Sequence, residues 1–238
     1  MIETQRKARC ARRVEAGDRL ASGSEEAELK GNATMKKKMV AVVTVVMMMV
    51  AASWAADTSA LHPPKGSRIA LVVFEDLECP ACAKAEPLLL QAERNYGLPL
   101  VRHDFVIPNH AWSKEAHIMA RWFDTQSPQL GEEFRHYIFT NQNAIYKTNL
   151  RGWADKFANA HGHPLPSFYD PTGALRSKVE TDTQLGIATG VHVTPTIYVV
   201  TDSARVPFEQ VADQGKLFET IEKVKGELPP EPKTAKKK

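Results

Sequence analysis

The run Ile69-Ala70-Leu71-Val72-Val73-Phe74 is followed within eight residues by two cysteines, Cys79 and Cys82, with Pro80 directly after the first. This junction constrains the chain more tightly than any other feature. A continuous apolar run of that length suits a strand buried on both faces. From Pro80 to about Asn95 the apolar spacing turns helical, and proline is tolerated in a first turn because that N–H has no intrahelical partner. Pro87 falls inside the same helix and is expected to kink it.

Cysteines two residues apart at a helix start have a clear chemistry. The first sulfur can accept backbone N–H bonds, and the helix dipole adds positive potential there. Both effects favour thiolate and lower the pKa of Cys79. Such a thiolate exchanges with a disulfide through a mixed disulfide, which Cys82 then resolves. The gap closes too small a loop to stabilise a fold much. The same spacing also serves zinc, so the strand-to-helix context is what favours redox chemistry.

Downstream elements complete a pattern. Leu98 to Phe105 reads as a second strand. Ala116, Met119, Ala120 and Phe123 recur at helical spacing. Ser127-Pro128 reads as an N-cap followed by proline at the first helical position, with Leu130, Phe134, Tyr137 and Ile138 as the apolar face. Asn149 is expected to cap a third helix that stops near Gly162, and a fourth runs from about Leu175 to Thr189. Thr196 to Val200 and Val206 to Val211 read as a hairpin, with Pro207 indicating an edge strand or a bulge. Leu217, Ile221 and Val224 mark a final helix. Glu227 to Lys238 reads as a Lys/Pro-rich disordered tail.

The N-terminus reads as an export signal. Met35 precedes Lys36, Lys37 and Lys38, then an apolar run from Met39 to Ala52, with Ser53 and Ala55 at the −3 and −1 positions of a cleavage site. Residues 35–55 are thus a signal peptide cleaved after Ala55, and 56–66 a lead-in. The run falls short of the roughly 20 residues that span a bilayer, so uncleaved membrane anchoring is the alternative. Residues 1–34, which contain Cys10, are expected to come from a mis-called start at which Met35 is the true initiator; a cytosolic extension is the rival. Export implies an oxidising, periplasmic or otherwise extracytoplasmic setting in which Cys79 and Cys82 can pair. Removing both segments leaves 21 basic and 22 acidic residues, which gives no electrostatic case for nucleic acid binding.

Three segments resemble the DsbA-like branch of the thioredoxin superfamily. Phe74-Glu75-Asp76-Leu77-Glu78-Cys79-Pro80-Ala81-Cys82 is similar to its strand-to-active-site segment. Pro87 falls where its active-site helix is commonly kinked. Gly190-Val191-His192-Val193-Thr194-Pro195-Thr196 is similar to its loop entering the third strand. The resemblance covers about residues 67–226. It implies an α/β thioredoxin fold (β-α-β, helical insertion at about 113–189, β-β-α) with a mixed central sheet. It also implies a cis Thr194–Pro195 bond facing the cysteines, far less costly before proline than before other residues. Backbone groups of Thr194 would then pair with an extended substrate. The site residues so implied are Cys79 as nucleophile, Cys82 as resolving thiol, and Pro80, Ala81, Thr194 and Pro195 at the substrate.

The resemblance implies a protein thiol:disulfide oxidoreductase with no cofactor beyond the Cys79–Cys82 disulfide. An oxidase reoxidised by a membrane partner of the DsbB or vitamin-K-epoxide-reductase type is favoured over a reductase. Departures bear on this. The buried carboxylate often found six residues before the first cysteine is replaced by Val73, and the alternation does not decide which of Glu75, Asp76 and Glu78 points inward. Ala81 cannot stabilise a thiolate as the histidine of DsbA does, so a milder oxidant is expected. Val193 stands where glycine is common and is expected to narrow the substrate groove.

Other features have simpler readings. His161-Gly162-His163 with the cysteine pair is a conceivable zinc or copper set, but a solvated loop is expected and no metal is assigned. His192 is taken as incidental. The seven-residue spacing of His103, His110 and His117 is taken as chance, because Pro108 breaks any common helix. Trp112, Trp122 and Trp153 are assigned to helix packing. A metal-binding module and a glutathione-linked relative of the same fold are the rival functional classes.

Overall fold

The computed structural model describes residues 56–230. The expectations for residues 1–34 with Cys10, for the signal segment 35–55, and for tail residues 231–238 lie outside the described residues.

The apolar run forms β1 (Ile69–Glu75), buried along almost its whole length. The turn carrying the cysteines leads into α1 (Pro80–Tyr96), with Cys79 at the N-cap position, Pro80 in the first turn and Pro87 inside the helix. Gly97 ends α1 at a φ of 61°, a left-handed conformation that glycine adopts without steric penalty. β2 (Leu100–Asp104) follows, shorter at both ends than its apolar pattern indicates. Next come α2 (Ser113–Gln126), α3 (Pro128–Asn141), a 3-10 turn over Gln142–Ala144, α4 (Leu150–Ala160) and α5 (Ala174–Thr189). The chain closes with β3 (Thr196–Thr201), β4 (Phe208–Gln210), a second 3-10 turn and α6 (Leu217–Glu227).

Local signals placed most of these ends. The Ser127 hydroxyl accepts from the Leu130 N–H at 3.0 Å, and Pro128 opens α3. Asn149 does occupy the N-cap position of α4, but its side chain caps nothing there: Oδ1 accepts from the Tyr146 N–H and Nδ2 donates to the Ala144 carbonyl. The tight turn before the helix competes for the amide, as asparagine side chains commonly allow. The last helix runs to Glu227, so the expected tail begins one residue later. Its first residues are tied down, with the Arg68 guanidinium donating to the Pro229 carbonyl at 2.8 Å.

The four strands are ordered β2-β1-β3-β4. β1 and β2 run parallel, and the other two pairs are antiparallel. β4 lies at the edge, which accommodates Pro207 just before it. Alternation splits β1 between two cores. Leu71 and Val73 face α1 and α6 with Ile197 and Val199. Ala70, Val72 and Phe74 face the other way with Tyr198 and Val200. On that second face α5 comes so close that a Cβ on Gly186 would lie 2.4 Å from the Phe105 ring.

A third core fills the inserted helices. Phe123, Phe134 and Phe157 pack edge-to-face or tilted with centroids 4.5–5.2 Å apart, an arrangement that adds to simple burial. Trp112 is buried in this core, and Trp122 and Trp153 pack against it. Leu77, Cys79 and Cys82 belong to the same cluster. The insertion therefore forms one wall of the cysteine site.

Candidate active site

Cys79 ends the turn after β1 and begins α1. Its carbonyl accepts from the N–H groups of Cys82 (3.1 Å) and Ala83 (3.2 Å), which fixes the first turn of the helix. Both sulfurs are free thiols. Both cysteines are buried, Cys79 retaining 9% exposure and Cys82 2%, so the first is the more accessible of the two. Pro80 is exposed and Ala81 half-buried against the insertion.

The Thr194–Pro195 peptide bond is cis, and its loop meets the cysteines: Cys79 Sγ lies 3.4 Å from the Thr194 carbonyl oxygen. The two motifs, 115 residues apart in sequence, form one site. His192 and Val193 are exposed beside this loop.

The two thiols differ sharply in acidity. Hydrogen bonding from Cys82, opposed by burial and aided by Thr194 and by the N–H groups of Cys82 and Ala81, lowers Cys79 to about 5. The positive end of α1 acts in the same sense. Burial pushes Cys82 far up, reinforced by its hydrogen bond to Cys79 and by the nearby charge of Glu75. Its sulfur accepts one backbone N–H, from Asp76 at 3.4 Å.

The turn between β1 and α1 is held from several sides, mostly by residues that no local pattern marks. Asp76 is fully buried and accepts from the N–H groups of Glu78 and Ile107, both at 2.7 Å. Glu78 Oε2 accepts from the N–H groups of Trp112 and Ser113 at 2.7 and 3.0 Å. It thereby caps the start of α2, where a carboxylate is favoured by the helix dipole. Gln142, in the 3-10 turn of the insertion, donates its amide N–H groups to the carbonyls of Leu77 (2.9 Å) and Cys79 (3.1 Å).

His117 is fully buried in α2. Its Nε2 accepts from the Leu77 N–H at 3.2 Å, so the ring proton resides on Nδ1, which donates to Asp104 Oδ1 at 2.8 Å. Although burial opposes it, Asp104 is held well below the usual carboxylate range by His117 and by the Arg121 and Arg135 guanidinium groups. The three histidines spaced by seven share no helix, yet each meets a different carboxylate. His103 Nδ1 is 3.2 Å from Asp182, and His110 Nδ1 is 3.0 Å from Asp76 without hydrogen-bond alignment.

Glu75, buried like Asp76, points inward beneath α1 on the face of β1 that carries Val73. Arg102 from β2 binds it through Nη1 at 2.8 and 2.9 Å, binds Glu86 from α1 through Nη2 at 2.9 and 3.1 Å, and binds Glu132 through Nε at 2.6 Å. One guanidinium thus serves three carboxylates. Burial, opposed by Arg102 and aided by Glu86, pushes Glu75 up to about 7. A carboxyl with that affinity near Cys82 is suited to exchanging a proton near neutrality.

His161 and His163 are elsewhere. His161 stacks on Phe157 and donates Nδ1–H to its carbonyl. Among the described residues no three His, Cys, Asp or Glu side chains are grouped as a metal site would need.

Residues 65–205 match the family model described as thioredoxin. Among solved structures, ScsC from Proteus mirabilis superposes with a TM-score of 0.57 at 13% identity, covering 87% of this chain and 99% of that one. BdbD from Bacillus subtilis gives 0.55 at 17% identity, covering 69% and 89%. The thiol-disulfide exchange protein alpha-DsbA2 from Wolbachia pipientis gives 0.53 at 15% identity, covering 68% and 85%. The shared fold is that of DsbA-like proteins. A curated relative, the Na(+)/H(+) antiporter NhaA of Herminiimonas arsenicoxydans, is 28% identical over 140 residues. The match takes in 57% of this chain and 21% of that protein, so the chain spans about a fifth of that relative's length.

Proposed function

The chain belongs to the thioredoxin family, and from that premise we propose that it is an exported thiol–disulfide oxidoreductase that oxidises cysteines of protein substrates. One observation carries this: an acidic Cys79 at the start of α1, paired with a less accessible, weakly acidic Cys82 and facing the cis Thr194–Pro195 loop. In the oxidised form a substrate thiolate attacks Cys79 Sγ and the Cys79–Cys82 bond breaks. Cys82 leaves with the electron pair and takes up a proton, and the raised carboxyl of Glu75, whose charge acts on Cys82, is the donor proposed. A second substrate thiolate then attacks the substrate sulfur of the mixed disulfide and releases Cys79 as a stable thiolate. The low pKa of Cys79 makes it a good leaving group, which supports the oxidising direction. Thr194 pairs with an extended substrate segment, and Pro80, Ala81 and Pro195 form the surface around the sulfur.

Catalysis requires reoxidation, and a membrane oxidoreductase of the DsbB or vitamin-K-epoxide-reductase type is the partner proposed. The sequence of residues 35–55, read as an export signal, supports action outside the cytoplasm. The test is the redox equilibrium of the Cys79–Cys82 pair in glutathione buffers, read by alkylating free thiols. A potential of about −120 to −180 mV identifies an oxidant, whereas one near −270 mV identifies a reductase. Failure to form a disulfide at any poise would overturn thiol–disulfide exchange altogether.

A further inference from the structure

Beside the cysteine turn lies a cavity of about 340 Å³. Its apolar walls are Pro80, Ala111, Trp112, Ile145 and Tyr146, the exposed Asn143 and Lys147 also line it, and Gln142 lines it from the insertion. The volume is at the small end of ligand pockets, which begin near about 300 Å³. It suits a side chain rather than a whole ligand. Gln142 is about nine-tenths buried, and both bonds from its amide nitrogen go to the cysteine turn. The opposite end of the same planar amide, Oε1, accepts no hydrogen bond among the described residues and is the acceptor left for the cavity. Glu78 also lines it, but its Oε2 is already engaged by the start of α2. Tyr146 at the rim is 63% exposed, a large apolar surface with little cover.

Covalent geometry says what enters. A substrate bonded to Cys79 has its own cysteine at that sulfur, and the next residue is one Cα step of about 3.8 Å away. Pro80, the residue after Cys79, forms part of the cavity wall. Thr194 meets Cys79 at its sulfur and Gln142 meets it at its carbonyl. When an extended segment pairs through its main chain, pockets for alternate side chains supply specificity. The geometry points to this cavity as a subsite for a bulky apolar side chain, of leucine or phenylalanine size, flanking the reactive cysteine of a protein substrate. Gln142 Oε1 accepts a backbone N–H of that segment. This rests on the thiol–disulfide exchange proposed above.

The experiment uses the full chain in its oxidised form and single-cysteine peptides with Gly, Leu or Phe beside the cysteine. Reduction of the protein is followed by acid quench and alkylation, and each rate is divided by the same protein's rate with reduced glutathione. The Leu and Phe peptides are expected to react roughly tenfold faster than the Gly peptide, and Ala111→Trp, which fills the cavity from an exposed position, reduces that ratio to about twofold or less. Tyr146→Ser, at an exposed rim position, lowers the ratio in the same direction and serves if the tryptophan variant does not fold. Ile187→Ser, another exposed apolar position outside the cavity, keeps it. Equal rates for all three peptides, or a preference that survives both cavity variants, would overturn the subsite while leaving exchange with glutathione intact. Absence of any reaction, glutathione included, would instead overturn exchange and the subsite with it.

Discussion

Replacing Cys82 tests the physical basis of the site most directly. In the reduced protein Cys79 is expected to titrate near pH 5, against about 9 for an ordinary thiol. The largest contribution is the hydrogen bond from Cys82. A hydrogen bond to a charged group contributes about 1.5–3 kcal/mol. Cys82→Ala should therefore raise the midpoint by roughly one to two pH units. Cys82→Ser keeps a donor at the same position and should raise it less. The assay is the far-ultraviolet thiolate absorbance of the reduced protein as a function of pH, with Cys79→Ser as the blank.

The same shift sets the bias toward the reduced form. Cys79 is depressed in the folded, reduced protein, so its thiolate stabilises that state fully above the ordinary thiol range. This stabilisation is lost as pH falls toward about 5. At pH 7 the interval of about two pH units corresponds to roughly 2.7 kcal/mol. Cys79 is not fully buried, and solvent screening halves the figure to about 1.4 kcal/mol, or about 30 mV in reduction potential. Cys82→Ala cannot report a disulfide potential, so the check on this step is the wild-type potential between pH 5 and 9. A midpoint unchanged by Cys82→Ala would refute the assignment of the Cys82 thiol as the principal stabiliser of the Cys79 thiolate.

Three further outcomes are expected. Glu75→Gln removes the carboxyl whose charge acts on Cys82; the exchange rate should fall about tenfold and lose its inflection near pH 7. Because burial raises Glu75, the wild type loses stability as pH rises through about 7; thermal melts at several pH values should show that slope reduced in the variant. Arg102→Met leaves Glu75 and Glu86 buried without their shared cation, and denaturant unfolding should show a loss of about 3–5 kcal/mol. Gly131→Ala places a methyl 1.7 Å from Asp124 Oδ1. Moving Asp124 strips the buried Arg135 of its two 2.7 Å bonds, so calorimetry should show a loss of about 2–4 kcal/mol.

Sequence by itself determined what rests on near neighbours. The buried strand, the cysteine pair at the helix start, Pro80 in the first turn, the Ser127–Pro128 cap and the β3–β4 hairpin all follow from periodicity and from backbone groups within a few residues. The approach of Thr194–Pro195 to Cys79 was legible only through resemblance, since no local rule joins residues 115 apart. Tertiary structure alone decided the rest. Val73 and Glu75 share a face of β1, yet only the arrival of the Arg102 guanidinium makes burial of that carboxylate tolerable. His117 and Gln142 carry no motif; they matter because the insertion folds back and presents them to Leu77 and Cys79. Asn149 shows the same limit locally: a cap was written in the sequence, and a competing turn took the side chain. Hydrophobic periodicity reports which face is buried, whereas the partner of a buried polar group depends on which distant segment packs there, and that is settled only when the chain closes.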